Sequence, residues 1–214
     1  MTTVAKLSDL ELAALLCSKL IHDVIGSAGA IVNGLEMLEM QTDENLRRES
    51  LDMMDKSARK VSAHLQFARI AFGAAGSAGS ELDLGDVERL IRLVADPEKV
   101  EINWQAAAEN RPKDEVKLLL NLVYIGFAAI PYGGTLKISV SGQNLAVRCI
   151  GKRAKVPDGV AGLVAGEVAA DEIDARSVQA YYAGRVAETA GLDVRFAHDG
   201  ECVSITAAPL AAAA

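Results

Sequence analysis

The sequence predicts an α+β fold in which a long antiparallel helical hairpin is followed by an α/β sandwich. Along residues 10–72, apolar residues recur at alternating steps of three and four with one polar break, a spacing typical of helices that pack against helices. After residue 80, helix-like and strand-like segments alternate, several joined by hairpin turns. Between the two regions, residues 73–80 are only Gly, Ala and Ser, which indicates a linker. We therefore expect a hairpin at 1–75, a linker at 76–80 and an α/β domain at 81–214.

The first predicted helix begins at a capping box, where Ser8 stands three residues before Glu11, and runs to about Met40. A short polar turn at 41–44 leads into a second helix, so the two helices are predicted to be antiparallel. Two continuous apolar stripes cannot cover each other fully. We therefore expect a second copy to close a four-helix bundle in a homodimer. The seam of the first helix is Leu10, Ala14, Cys17, Ile21, Val24, Ala28, Ile31, Leu35 and Leu38, and that of the second is Leu51, Met54, Ala58, Val61, Leu65, Ala68 and Phe72.

The C-terminal part is predicted to form a largely antiparallel sheet with helices on one face. Helical periodicity covers residues 86–95, 113–129 and about 175–190, and the second of these helices ends before Pro131 and a Gly-Gly turn. Gly-containing turns connect strand-like segments in two pairs, which indicates hairpins. The predicted strands are 100–105, 136–141, 145–150, 193–198 and 202–207.

Composition excludes several classes of partner. The net charge is −7 and the basic residues are scattered among acids, which argues against nucleic acid or an anionic membrane surface. Cys17, Cys149 and Cys202 are far apart and lie in apolar segments, as expected of reduced thiols in the cytoplasm. No secretion signal is evident at the N-terminus, and the apolar stretch 116–131 is shorter than the ~20 residues that span a bilayer. We expect a cytoplasmic protein that is not inserted in a membrane.

His22 flanks the predicted seam and is the candidate reactive residue. A solvent-exposed imidazole is largely uncharged at neutral pH and can act as a nucleophile. Glycine inside a helix costs about 1 kcal/mol relative to alanine, so Gly26 and Gly29 beside one histidine favour clearance for another protein. Alternatively, another helix packs on these glycines and His22 is only a polar rim residue. Helical spacing places the following residues around the ring as candidate partner contacts: Leu15, Ser18, Lys19, Ile25, Gly26 and Gly29.

The hairpin with His22-Asp23, followed by an α/β domain, resembles the dimerisation and phosphotransfer domain plus the ATP-binding domain of sensor histidine kinases. Within that superfamily it is most similar to the ChpT-type histidine phosphotransferases of alphaproteobacteria. The resemblance covers nearly the whole chain. In the α/β domain it is carried by LLNL at 119–122 and GGTLKI at 133–138, which resemble the kinase segment that runs from the nucleotide-contacting helix into the next strand.

Three departures from the kinase pattern stand in the ATP-binding region. Kinases place a Mg²⁺-holding asparagine four residues after the position of Asn121, where this chain has Ile125, and an aliphatic side chain cannot coordinate magnesium. The strand at 145–150 leads into Gly-Lys-Arg instead of an aspartate and a glycine-rich turn. The glycine-rich phosphate loop is replaced by DARSVQ at 174–179. We therefore expect no ATP and no cofactor or metal of the chain's own.

The resemblance implies a phosphorelay. His22 would accept a phosphoryl group from the receiver domain of a hybrid histidine kinase and pass it to aspartates of response-regulator receivers that control the cell cycle. The receiver would bring the Mg²⁺, and Asp23 would assist the imidazole. Kinases that also act as phosphatases often carry Thr or Asn where this chain has Gly26, so we expect weak phosphatase activity. Two alternatives stay open: an adaptor or inhibitor that docks without carrying phosphate, and a divergent active kinase.

Overall fold

A computed structural model describes residues 6–73 and 81–210. The predicted linker 76–80 lies outside these residues. A helical N-terminal part is followed by a sheet domain, as the sequence predicts. The helices are α1 Asp9–Met40, α2 Glu44–Ala71, α3 Leu84–Val94, α4 Lys113–Ala129, α5 Val160–Ala165 and α6 Val178–Ala190, with a 3₁₀ turn at Ala170–Glu172; the strands are β1 Glu81–Asp83, β2 Val100–Trp104, β3 Asn110–Pro112, β4 Gly134–Ser141, β5 Asn144–Ile150, β6 Leu192–Asp199 and β7 Cys202–Pro209.

The ends of α1 and α2 are set by side chains that cap free backbone groups. Ser8 and Glu11 form the predicted capping box: the Ser8 hydroxyl accepts from the Glu11 amide at 3.3 Å, and the Glu11 carboxylate accepts from the Ser8 amide at 2.9 Å. At the start of α2, the Asp43 carboxylate accepts from the Asn45 amide at 2.8 Å. Only residues 41–43 connect the two helices, so they run antiparallel side by side.

No residue of the predicted α1 seam is buried within the described chain. Leu10, Ile21 and Leu35 are 82%, 60% and 54% exposed, whereas the two buried residues of α1 are Lys19 and Gly34. The buried face lies about 120° around the helix from the predicted seam. Periodicity finds apolar stripes, but the close approach to α2 uses a glycine whose missing side chain makes room for methionine side chains of α2.

The main sheet has the strand order β2-β4-β5-β7-β6, and every pair is antiparallel except β2 with β4. The largely antiparallel sheet is therefore confirmed, and β1 and β3 form a separate antiparallel pair. Along β4 and β5 the inward side chains are buried and pair across the strands, as Leu136 does with Cys149 and Ile138 with Val147. Helix α4 packs on this face, and twelve of its 17 residues are buried. The core thus lies between α4 and one side of the sheet.

Two helices of the C-terminal part begin at positions other than those predicted. Helix α3 begins at Leu84 because Asp83 caps it, accepting from the Asp86 amide at 3.1 Å. Helix α6 begins at Val178 because the Asp174 carboxylate accepts from the backbone amides of Arg176 and Ser177 in a preceding turn. Strands β1 and β3 and helix α5 are too short for periodicity to show.

Helix α1 is, by length and composition alone, able to cross a membrane. An 18-residue window within it has a mean hydropathy of 1.5, and 6% of that window is buried. The apolar stretch at 116–131, which the sequence analysis compares with a membrane span, belongs mostly to the buried α4. Core helices and signal sequences pass the same test, so one such helix is weak evidence for a membrane span.

Candidate functional site

His22 projects from the middle of α1 into solvent. Its side chain is 68% exposed, and its Nδ1 atom lies 3.6 Å from Oδ1 of Asp23. This distance is longer than a hydrogen bond. The imidazole is therefore reachable by a group on another protein, with one ring nitrogen directed towards a carboxylate.

The Asp23 carboxylate is held from its other side. Its Oδ2 atom accepts from the Lys19 ammonium and from the Tyr124 hydroxyl at 3.1 Å. The same ammonium also donates to the Tyr124 hydroxyl at 2.9 Å and stands 4.6 Å from the centre of the tyrosine ring. Because Asp23 and Lys19 are 14% and 8% exposed, this is a nearly buried ion pair with a shared phenol. We call these three side chains the Lys-Asp-Tyr cluster.

Lys19 is placed differently from its prediction as a partner contact. The side chain points into the junction between α1 and α4 and is not available on the surface. The remaining predicted contacts divide by exposure. Ser18, Ile25 and Gly26 are exposed, Gly29 is half-buried, and Leu15 is half-buried against the core. Lys19 is therefore buried where a surface contact was predicted, and Leu15 exposes only part of its side chain.

Gly26 and Gly29 face open space. A Cβ atom placed on either glycine would have no neighbour within 4 Å, so no contact among residues 6–73 and 81–210 requires their small size. Gly34 on the same helix differs, since its Cβ would collide with the Met54 side chain. Among the described residues, no helix packs on Gly26 or Gly29, so the alternative that another helix packs there stays open only for a helix outside these residues.

Asn121 and Ile125, the positions that the sequence analysis compares with a kinase ATP site, make their contacts inside the chain. Asn121 is fully buried; its amide nitrogen donates to the Lys117 carbonyl at 2.8 Å and to the Ala71 carbonyl at 3.4 Å. Its amide oxygen accepts from Gln179 at 3.2 Å. Ile125 is 5% exposed and belongs to the apolar core.

The polar groups of the turn before α6 also form hydrogen bonds with one another. Asp174 Oδ1 accepts from the amides of Arg176 and Ser177 at 2.9 and 2.8 Å and from the Ser177 hydroxyl at 2.9 Å. The Ser177 amide and hydroxyl, followed by the Arg176 amide, hold the pKa of the Asp174 carboxyl below its ordinary value. A carboxylate therefore occupies the amides that a phosphate would need. Within the described residues, no three His, Cys, Asp or Glu side chains group in a way that could hold a metal ion.

Comparison with known proteins decides the family. A family model described as the C-terminal domain of histidine phosphotransferases matches residues 84–202. The protein phosphotransferase ChpT of Brucella abortus (strain 2308) is 43% identical over 198 residues, which cover 91% of this chain and 93% of that protein. The chain belongs to the ChpT-type histidine phosphotransferase family.

One solved structure agrees with this membership. A bacterial phosphotransferase structure superimposes with a TM-score of 0.86 at 39% identity, covering 95% of this chain and 98% of the other. A histidine kinase, AdeS of Acinetobacter baumannii, is 13% identical with a TM-score of 0.44 and covers 87% of this chain and 95% of that chain.

Tyr124 is the residue of this phosphotransferase that sequence reasoning missed. It lies on α4, and its ring packs 5.7 Å from that of Phe67 and 6.4 Å from that of Phe127, measured between centres. Burial raises the pKa of its hydroxyl, an effect that the Lys19 contact opposes. In the sequence it is one more residue of an apolar helix, 101 positions from Asp23. No local pattern signals a contact over that separation, so only the folded chain shows it.

Proposed function

We propose that this chain is a phosphorelay intermediate. It accepts a phosphoryl group on His22 from the receiver domain of a hybrid histidine kinase and passes it to aspartates of response-regulator receivers. The observation that carries the proposal is the exposed imidazole beside a carboxylate that is held in place from its far side. The printed name of the Brucella relative, a protein phosphotransferase, supports the same class of activity.

The proposed transfer uses the two nitrogens of His22 for different tasks. Asp23 receives the Nδ1 proton in a hydrogen bond, which leaves the lone pair of Nε2 free to attack phosphorus. The Nε2–P bond forms while the P–O bond to the receiver aspartate breaks, and that electron pair returns to the aspartate carboxylate. The ring gains positive charge, which the Asp23 carboxylate stabilises. The return transfer reverses these steps.

In this proposal the receiver supplies the metal ion and the acidic residues that the reaction needs. Phosphoryl transfer is catalysed mainly by positioning and by charge stabilisation, and a receiver brings its own Mg²⁺ and acidic residues. The phosphotransferase then needs only an aimed nucleophile and a docking surface. We assign that surface to the exposed face around His22, formed by Ser18, Ile25, Gly26 and Gly29. The absence of side chains at the two glycines gives the receiver backbone close access.

ATP is not the phosphoryl donor in this proposal. The amide of Asn121 is fully engaged within the core, Ile125 offers no ligand oxygen, and Asp174 both fills the amides before α6 and would repel phosphate. Mixing the purified chain with Mg²⁺-ATP should therefore give neither stable nucleotide binding nor autophosphorylation. Labelling of His22 by ATP alone would overturn this part of the proposal.

A homodimer completes the hairpin in this proposal. Large apolar side chains on α1 and α2 are exposed in one copy, and many exposed apolar side chains on two neighbouring helices favour an interaction site. Two copies of the hairpin can bury it in a four-helix bundle. The same use explains why α1 is so apolar without a bilayer, and we place the protein in the cytoplasm. Outside the docking surface around His22, the exposed side chains are Leu10, Ile21, Val32, Leu35, Met37, Met40, Leu46, Leu51, Met53 and Leu65.

The oligomeric state is tested with Leu35→Glu and the matched change Leu93→Glu. Leu35 and Leu93 are 54% and 58% exposed, but Leu93 lies on α3, outside the hairpin. Light scattering should give a dimer for the wild type and for Leu93→Glu and a monomer for Leu35→Glu. A monomeric wild type would contradict the bundle.

The relay is tested by mixing the full chain with a receiver domain that carries labelled phosphate on its aspartate. Label should move to the wild type and to His64→Gln and His198→Gln, but not to His22→Gln. Lability of the label in acid together with stability in alkali identifies phosphohistidine and excludes aspartyl phosphate. Equal labelling of wild type and His22→Gln removes the relay, and docking without any label transfer favours the adaptor.

A further inference from the structure

The phosphoacceptor site reaches into the C-terminal domain. Tyr124 lies on α4, which belongs to the sheet domain, yet its hydroxyl stands 3.1 Å from Asp23 Oδ2 on the hairpin. The phenol accepts from Lys19 and donates to Asp23, so both of its hydrogen-bonding roles are used. Its ring is fixed by Phe67 of α2 and by Phe127 of its own helix. The hydroxyl is therefore a fixed donor aimed at the carboxylate beside His22.

We infer that Tyr124 is a positioning residue for phosphoryl transfer, acting on His22 through Asp23. A carboxylate can rotate about its Cβ–Cγ bond, and both oxygens would otherwise be equivalent. Here Lys19 and Tyr124 bind Oδ2, so Oδ1 is the oxygen turned towards Nδ1 of His22. Fixing that oxygen favours the imidazole tautomer with hydrogen on Nδ1 and a lone pair on Nε2. This inference rests on the proposed relay for its kinetic consequence but not for the tautomer.

In this role the ATP-binding-like domain positions Asp23 through Tyr124 and requires no nucleotide. Its helix α4 closes the Lys-Asp-Tyr cluster, while the buried Asn121 on the same helix ties α4 to the end of α2 through the Ala71 carbonyl. The C-terminal domain thereby holds the hairpin in one position, with the Asp23 carboxylate set next to an exposed ring. Preorganisation of this kind lowers the cost of aligning the reacting groups.

The test is Tyr124→Phe in the full chain, with Tyr182→Phe as the matched control. Tyr182 is a half-buried tyrosine of the same aromatic cluster, 5.8 Å from Phe72, and has no contact with Asp23 among the described hydrogen bonds. Both changes remove one hydroxyl and keep the ring. The first readout is ¹⁵N NMR of the His22 ring at neutral pH without any partner. The second is the single-turnover rate of label transfer from a phosphorylated receiver, measured over a range of receiver concentrations.

In the wild type and in Tyr182→Phe we expect the Nδ1–H tautomer to dominate. In Tyr124→Phe the tautomer population should shift towards Nε2–H. The transfer rate at saturating receiver should fall about tenfold, the size expected for one lost hydrogen bond to a charged group, with the half-saturating receiver concentration unchanged. An unchanged tautomer, or the same loss in Tyr182→Phe, overturns the inference. If His22→Gln still takes label, the relay fails instead, while the NMR result still decides the role of Tyr124.

Discussion

Helices α1 and α4 are both long and rich in apolar residues, but they lie in opposite surroundings. Of the 32 residues of α1, two are buried, whereas α4 buries twelve of 17. Helix α4 is covered by the sheet, by α6 and by the end of α2, so its apolar residues have all their partners within the chain. The apolar residues of α1 lie mostly on faces that one copy leaves open. The difference shows that apolar content alone does not distinguish a core helix from an interaction helix.

The two helices meet at the Lys-Asp-Tyr cluster. Lys19 and Asp23 come from α1 and Tyr124 from α4. The most solvent-exposed helix of the molecule is therefore attached to the most buried one through polar groups, close to His22. Exposed residues proposed to contact partners and buried residues that stabilise the fold are neighbours here, and substitutions can separate their effects.

The largest expected effect is a cavity in α4. Leu119 is fully buried, so Leu119→Ala should lower the free energy of unfolding by about 4 kcal/mol. Leu35→Ala on α1 removes the same atoms from a side chain that is 54% exposed. Its cost should appear only where the hairpin dimerises, and so should depend on protein concentration. Urea unfolding at two protein concentrations measures both. A large, concentration-independent loss in Leu35→Ala would mean that α1 is core after all.

The next effect separates the buried ion pair from a surface pair. Asp23→Ala leaves the buried Lys19 ammonium with only the Tyr124 hydroxyl, and should cost about 2 kcal/mol of stability. Asp55→Ala breaks the pair with Arg59 on α2, whose side chains are 59% and 78% exposed, and should be too small to resolve. Thermal unfolding of the two variants gives the comparison. Equal losses would show that the cluster does not join α1 to α4.

Much of the fold follows from the sequence because it depends on local patterns. The capping box at Ser8, the three-residue connection after α1 and the antiparallel strand pairs all follow from short-range chemistry. The face of α1 that packs on α2 does not, because a more apolar stripe lies about 120° around the helix and is largely exposed within the described chain. Periodicity measures how apolar a face is, not which surface covers it.

The candidate site divides in the same way. His22, Asp23 and the two open glycines are neighbours on one helix, so spacing alone brings them together. Tyr124 and the burial of Lys19 depend on a contact between helices about a hundred residues apart. From the sequence alone, a lysine near an exposed histidine is predicted to be a surface residue, because helix α4, which buries Lys19, is distant in the sequence. Sequence reasoning therefore predicts His22 as the reactive residue but does not show which groups hold Asp23 beside it.

A smaller effect, of opposite sign, is expected at the glycines. Gly26→Ala and Gly29→Ala add methyl groups that meet nothing within 4 Å, so each should stabilise the helix by about 1 kcal/mol. Gly34→Ala is the control, because its methyl group meets the Met54 side chain and should destabilise. If the open glycines provide room for a receiver, the two stabilised variants should also accept phosphate more slowly. Unchanged transfer with raised stability would assign docking to another face.

The smallest effect concerns His64 on α2, which lies close enough to Lys19 and Asp23 for their charges to act on it. Burial lowers the pKa of its imidazole from the ordinary 6.5; Asp23 raises that pKa, and Lys60 and Lys19 lower it. The folded protein then binds this proton less well than the unfolded chain does, so protonation favours unfolding. Stability should be unaffected above about pH 7 and should fall as the pH drops through 6.5 towards the lowered value.

Melting curves between about pH 8 and pH 5 test this for the wild type, His64→Gln and His198→Gln. Removing His64 should flatten part of the decrease below pH 6.5, because the variant no longer has a proton site that the fold disfavours. His198 is exposed and lies in the hairpin between β6 and β7, so its removal should leave the wild-type slope. An identical pH slope in all three proteins would mean that the fold does not bury the His64 imidazole and that His64 belongs to the exposed surface of the hairpin. A flattened slope for His64→Gln would mean that the fold buries the His64 imidazole beside the Lys-Asp-Tyr cluster.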